Sequence, residues 1–274
     1  MKKVMARNLR KDFETPEALE AYLRELAPWA EGDCALSMAL YPGGKKAAEE
    51  RLGEINPIRY GLTRNYHDGL VTRLSPYITH GIIDLNTVRN HALMLTSEPV
   101  QINKFIQELA WRDFWQRNYK NAPEKIWEDV EAYKTGFAPE DYADILPEDI
   151  QAAETGTAVI DAFIRELLKT GYMHNHARMY VASYVVHFRR VKWQAGARFF
   201  LKHLLDGDVA SNNFSWQWVA STFSNKPYIF NLENVAKYFG GAIDINPQNN
   251  RQIDADYDTL AARLFTNKQK GLQL

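Results

Sequence analysis

The sequence predicts an all-α fold. Three observations carry that prediction: apolar residues recur at helical spacing, strand-type alternation is sparse, and no βαβ alternation interrupts the pattern. The chain has 274 residues, 46% hydrophobic and 12% aromatic, which supplies a substantial core and excludes a disordered or fibrous protein.

The elements follow in order. Thr15 is placed to cap a helix opened by Pro16 and continued through Leu23. Gly43-Gly44 punctuates before a helix through Ala47 and Leu52. Phe105, Leu109, Arg112 and Gln116 belong to one long helix. Residues 120–155, with Pro123, Pro139 and Pro147, read as an irregular connector with short helical pieces. Thr157–Leu168, Ala177–Phe188 and Ala195–Leu205 read as further helices. The expected division is an N-terminal extension over 1–42 and a helical domain over 43–274.

Cys34 is the single cysteine, so no disulfide framework or CxxC redox pair exists in this sequence, and a reducing cytoplasm is the expected compartment. Met1–Phe13 has five basic residues but no apolar run of signal type. No stretch has the roughly 18 apolar residues of a membrane span. Net charge is −1, but its distribution is uneven. Leu167–Leu205 lacks Asp and Glu while carrying seven Lys and Arg, whereas Glu124–Glu154 holds ten acidic residues against Lys125 and Lys134. A solvated basic face and a polyanion site, for cofactor phosphates or nucleic acid, both fit that stretch.

Four clusters place unlike functional groups together. Glu108, Trp111, Arg112 and Trp115 share a helix side at i, i+3, i+4 and i+7. The plain alternative is a Trp-lined core face with a Glu–Arg pair at its edge. Asn175, Arg178 and Met179 project an amide, a guanidinium and a thioether from one face. His174 and His176 lack metal-ligand spacing, and no metal is expected. Asp206-Gly207-Asp208 lacks the later ligands of a calcium loop and reads as a tight turn holding two carboxylates. In a helix, the nearby Trp216 and Trp218 sit about 200° apart, so one faces inward and the other a cleft. Thr72-Arg73-Leu74-Ser75 opens a helix with hydroxyls, backbone amides and an Arg, a natural phosphate cradle.

Taken collinearly, these clusters resemble the FAD-binding domain of the photolyase/cryptochrome family. The resemblance runs from Gly43-Gly44 through Thr72-Arg73-Leu74-Ser75-Pro76-Tyr77, Glu108-Leu109-Ala110-Trp111-Arg112, Gly171-Tyr172-Met173-His174-Asn175 and Asp206-Gly207-Asp208 to Trp216-Gln217-Trp218. The roughly 40 preceding residues are too few for the antenna domain usual in that family, and Gly240-Gly241 to Leu274 departs from its usual ending.

The resemblance implies a helical FAD-binding fold and assigns roles by position. Thr72, Arg73, Leu74 and Ser75, with Tyr60, match the grip on the FAD pyrophosphate. Phe105, Arg112, Asp206 and Asp208 match pocket-lining residues. Arg178 matches the Arg paired with the first carboxylate, and Asn212 the residue facing flavin N5. Trp216 and Trp193 match two members of an electron relay, whose third member has no match unless Tyr133 or Tyr142 serves. Glu108, Trp111, Asn175, Met179 and Trp218 match a cavity for a flipped pyrimidine dimer, where His176 replaces the usual Arg. The implied activity is light-driven repair of ultraviolet lesions by a photolyase-type lyase, single-stranded DNA favoured. The alternative is a cryptochrome-type sensor acting through a signalling partner. No membrane partner is expected.

Overall fold

Caps and breakers set the helix boundaries. The computed structural model describes residues 10–26 and 39–266. Cys34 and most of the basic N-terminal segment lie outside them. The helices are α1 (Pro16–Leu26), α2 (Lys45–Gly53), α3 (Pro57–Thr63), α4 (Ser75–Thr79), α5 (Leu85–Met94), α6 (Asn103–Asn121), α7 (Glu148–Gln151), α8 (Ala158–Thr170), α9 (Asn175–Ser183), α10 (Trp193–His203), α11 (Val209–Ala220), α12 (Leu232–Phe239) and α13 (Tyr257–Leu264). Thr15 Oγ1 accepts from the Ala18 amide at 3.2 Å, the predicted cap of α1. Among the described residues there is no strand, only the isolated bridges Ala143–Val191 and Gly240–Ile243. No helix among them is long and apolar enough to cross a membrane.

The connector is as irregular as its prolines dictate: 3-10 turns at Pro123–Lys125 and Pro139–Asp141, then the single turn α7. The run expected over Ala177–Phe188 starts earlier, at Asn175, and its last turn, Tyr184–Phe188, is π-helical. Gly171 closes α8 at φ 69°, and a Cβ there would meet Leu205 at 2.7 Å. Only glycine takes that left-handed turn against Leu205 without displacing it.

Three apolar clusters result. A smaller one gathers Ala48, Leu52, Leu74, Tyr77, Val88, Ile102 and Phe105 from α2 and α4–α6. A larger one is built from α8–α12 around Phe163, Tyr180, Tyr184, Trp193 and Phe230. α6 joins the smaller cluster to a third one: its later turns send Trp115 onto Phe214 of α11, with centroids 5.2 Å apart and rings nearly parallel, beside Ile126 and Ala210. The polar clusters of the sequence meet at this seam, where α4 and α6 face the turn between α10 and α11.

Candidate functional site

The site centres on a buried carboxylate, Asp206, in the turn that the Asp-Gly-Asp spacing predicts. Its side chain is 3% exposed, and Arg178 Nη2 donates to its Oδ2 at 2.9 Å. Arg178 Nε donates to the Met173 carbonyl at 2.8 Å, which fixes the guanidinium across the start of α9. Ser75 Oγ donates to Asp206 Oδ2 at 2.5 Å, and Thr79 Oγ1 to the Asp206 carbonyl at 3.3 Å. Burial opposes ionisation of Asp206, yet Arg178 and Ser75 outweigh it and hold the carboxyl below its ordinary range. Asp208 caps α11 by accepting from the Ser211 amide at 2.7 Å, and its other oxygen accepts from Gln116 Nε2 at 2.6 Å. Asn212 lies one turn further on, with Nδ2 held by the Ala197 carbonyl at 3.1 Å. Arg178 and Asp206 are thus in direct contact, while Asn212 follows on the helix that Asp208 caps, its amide turned to α10.

The Thr72–Ser75 loop flanks Asp206. Leu74 buries its side chain in the smaller core, which leaves its backbone as the polar part of the loop. Arg73 takes a left-handed φ of 53° and sets its guanidinium 5.7 Å from the Tyr172 ring centroid. Arg178 sits 5.5 Å from the same centroid. Two guanidiniums on one ring give the neighbourhood a positive bias suited to phosphate. Tyr60 and Phe105 meet edge to face at 5.2 Å, with Phe105 buried.

α6 divides its predicted cluster between two directions. Arg112 Nη2 donates to Thr79 Oγ1 at 2.7 Å and lies 3.8 Å from Asp208. Glu108 instead pairs with Arg64 at 3.0 Å and Lys104 at 2.8 Å, so no Glu108–Arg112 pair edges the face. The i, i+4 spacing permits that pair, but Asp208 offers Arg112 a better-enclosed partner. Trp111 is 50% exposed and stacks on Trp115, which continues to Phe214; Trp218, one turn further along α11, is 40% exposed. Trp216 is buried, as the 200° separation requires.

On α9, Asn175 is exposed and Arg178 and Met179 are half-buried, so the predicted face is open to the seam. His176 does not join them. It is buried against Tyr180 and Tyr238, both at 4.6 Å, with Nδ1 3.2 Å from the Asn65 carbonyl. One residue along a helix is a 100° turn, and His176 shares the core-facing side with Tyr180 four residues later. Burial lowers its pKa.

His174 caps α9, accepting from the His176 amide. Burial, with His176, His67 and Arg178 adding positive charge nearby, lowers its pKa to about 4. A neutral buried His charges on unfolding, so stability is complete above pH 6.5 and drains as pH falls from 6.5 toward 4. The parent is expected to lose about 2 kcal/mol more than His174→Asn between pH 7 and pH 5. Urea titrations at the two pH values measure this, and equal losses would exclude it.

The expected relay residues are both core. Trp216 lies against Gly196 so closely that a Cβ there would come within 2.2 Å of the ring, and it meets Phe200 edge-on at 5.0 Å. Trp193 begins α10 one turn before Gly196 and is fully buried. The connector supplies a ring that sequence reasoning missed: half-buried Trp127 stacks on Trp193, centroids 6.2 Å apart and planes 3° apart. Its signal was available, since Trp127 is the only Trp of the connector. Tyr133 and Tyr142 stack on each other at 4.4 Å.

One buried atom fits a flavin nucleotide. Among the described residues, Asp206 Oδ1 is buried without a hydrogen-bond partner, an arrangement that a ligand N–H completes. A cleft of about 720 Å³ on the α5–α6 side takes in Arg112 and Asp208 of the expected set, but not Thr72–Ser75, Arg178, Asp206 or Asn212, so it adjoins the Asp206 neighbourhood rather than coinciding with it. Among the described residues no group of three or more His, Cys, Asp and Glu is placed to hold a metal.

Residues 105–244 match the family model described as the FAD binding domain of DNA photolyase. The chain is 36% identical over 172 residues to a deoxyribodipyrimidine photo-lyase of Alkalihalophilus pseudofirmus, covering 61% of this chain and 36% of that protein. It is 32% identical over 204 residues to that of Streptomyces griseus, covering 71% and 43%. The fold matches a class III photolyase from Agrobacterium tumefaciens with a TM-score of 0.63 at 25% identity, over 83% of this chain and 49% of that one. This chain thus spans less than half the length of these relatives. With residues 105–244 matching that model, the chain belongs to the FAD-binding domains of the photolyase/cryptochrome family, and FAD is its cofactor.

Proposed function

We propose that this domain uses FAD for light-driven repair of pyrimidine dimers in DNA, with single strands preferred. The observation that carries the reading is a pair of exposed indoles, Trp111 on α6 and Trp218 on α11, carried by two helices that pack together through Trp115 and Phe214. Bound FAD supplies one-electron chemistry on illumination. The protein's part is to hold and orient. Thr72, Arg73 and Ser75 take the pyrophosphate, Arg178, Asp206, Asp208 and Asn212 the ring system, and Arg112 braces Asp208 from α6. The exposed indoles receive flipped bases by stacking, worth about 1–3 kcal/mol per base. Near-neutral net charge limits the electrostatic grip on duplex, which favours substrates whose bases are already unstacked. Glu108 has to exchange part of its contact with Arg64 and Lys104 for a base edge.

Illuminating the reduced flavoprotein with ultraviolet-damaged oligonucleotides, and counting restored thymines on single and double strands, tests the reading. Restoration is expected to be greater on single strands and about tenfold lower for Glu108→Gln, the loss of one charged hydrogen bond. No restoration on either strand form removes it.

A second reading, a light sensor of cryptochrome type, draws support from His176: its ring packs in the core and presents no cation to the mouth. That reading expects light-dependent protease sensitivity without repair.

A further inference from the structure

Trp193 has a proton acceptor that its neighbours lack. Its Nε1 donates to Asp129 Oδ1 at 2.6 Å, at the short end of the charge-assisted range, and Gln194 Nε2 reaches the same oxygen at 3.3 Å. Trp216 Nε1 is buried with no hydrogen-bond partner among the described residues. Trp127, on the outer side, carries the Arg198 guanidinium 4.5 Å from its ring centroid. These three environments differ in how they treat a ring that has lost an electron. An oxidised indole is a cation whose N–H becomes strongly acidic. At Trp216 the proton has nowhere to go. At Trp127 a guanidinium that was attracted to the electron-rich face is repelled by the positive ring, so the ordinary cation–π stabilisation is lost and reversed. At Trp193 an opposite charge lies along an existing hydrogen bond.

We propose that Asp129 takes the Nε1 proton of Trp193 when that ring is oxidised, so that the missing electron comes to rest there as a neutral indole radical. This rests on the relay reading of Trp216 and Trp193. The balance is simple. Bound oxidised FAD, once light-excited, would supply the oxidant that takes one electron from Trp216, and one electron from Trp193 would restore Trp216. The Trp193 N–H bond breaks, an O–H bond forms on Asp129, and the pair ends with a neutral radical and a neutral carboxylic acid. A thiol reductant from solvent returns the electron, and the proton moves back. Asp129 is half-buried, so the acid it becomes is sheltered but not sealed. The charge removed by the proton shift is the charge that would draw the electron back, which makes Asp129 a device for lengthening charge separation.

Flash absorption of the FAD-bound, oxidised protein distinguishes cationic from neutral Trp radicals. In the parent, the neutral form is expected to appear at a rate independent of buffer concentration and slowed about two- to fourfold in heavy water, as an internal transfer along one bond requires. Asp129→Asn is expected to slow that step at least about tenfold and make it buffer-dependent, and Asp129→Glu to recover most of it. In the dark, the Trp193 indole N–H resonance is expected to move upfield in Asp129→Asn, a signature independent of photochemistry. An unchanged deprotonation rate in Asp129→Asn, or buffer dependence in the parent, overturns the proposal. If Trp216→Phe photoreduces its flavin as fast as the parent, the relay itself fails and takes the proposal with it. The dark resonance shift then persists, which separates that failure from a failure at Asp129.

Discussion

Asp206→Ala is expected to lose FAD and about 3–5 kcal/mol of folding stability, the usual cost of leaving one partner of a buried ion pair alone. Asp206 accepts from Arg178 and Ser75 through its side chain and from Thr79 through its carbonyl, so it ties α4, α9 and the α10–α11 turn together. Its truncation leaves Arg178, only 24% exposed at the side chain, facing Tyr172 and a hydroxyl. Because the folded carboxyl titrates below its unfolded value, the pair's contribution is present above about pH 4 and is lost as acid titrates through the folded range. Denaturant titration and the flavin absorption of the purified protein measure the two effects. Arg178→Met/Asp206→Leu separates them: apolar replacement of both partners is expected to restore most of the stability while the protein stays colourless. A yellow double variant would contradict the assignment of this pair to the cofactor.

Trp216→Phe is expected to keep FAD but slow its photoreduction at least about tenfold, because phenyl rings give up an electron far less readily than indoles. The stability cost is modest, about 1–2 kcal/mol for the volume lost against Gly196 and Phe200, since Trp216 Nε1 gives up no hydrogen bond. The rate of flavin bleaching under blue light, measured with thiol present, decides it. Parent-like bleaching in this variant ends the relay reading.

What was legible in the sequence was local. The spacing of Asn175, Arg178 and Met179 and the 200° between Trp216 and Trp218 depend on helix geometry alone, the Asp206-Gly207-Asp208 turn on local turn chemistry, and each is realised. The burial of His176 was equally readable, four residues before Tyr180, had its own face been traced. Partners set by chain reversal were not readable. Glu108 meets Arg64 across two helices, and the choice of Arg112 between Glu108 and Asp208 depends on how α6 lies against α11. Trp127 sits in a segment with no period to orient it, so only the docking of the connector on α10 reveals its stacking partner.

The Ser75–Asp206 hydrogen bond closes 131 residues of chain. Closing a loop of that length carries an entropic cost that local helix contacts do not. During synthesis Ser75 leaves the ribosome long before Asp206, so the bond that joins them forms only once both are out. On the proposed assignment of these residues to the cofactor, flavin loading follows that closure. Its free concentration in the cell sets how much of that fold persists, by mass action on a vessel that must first be made empty.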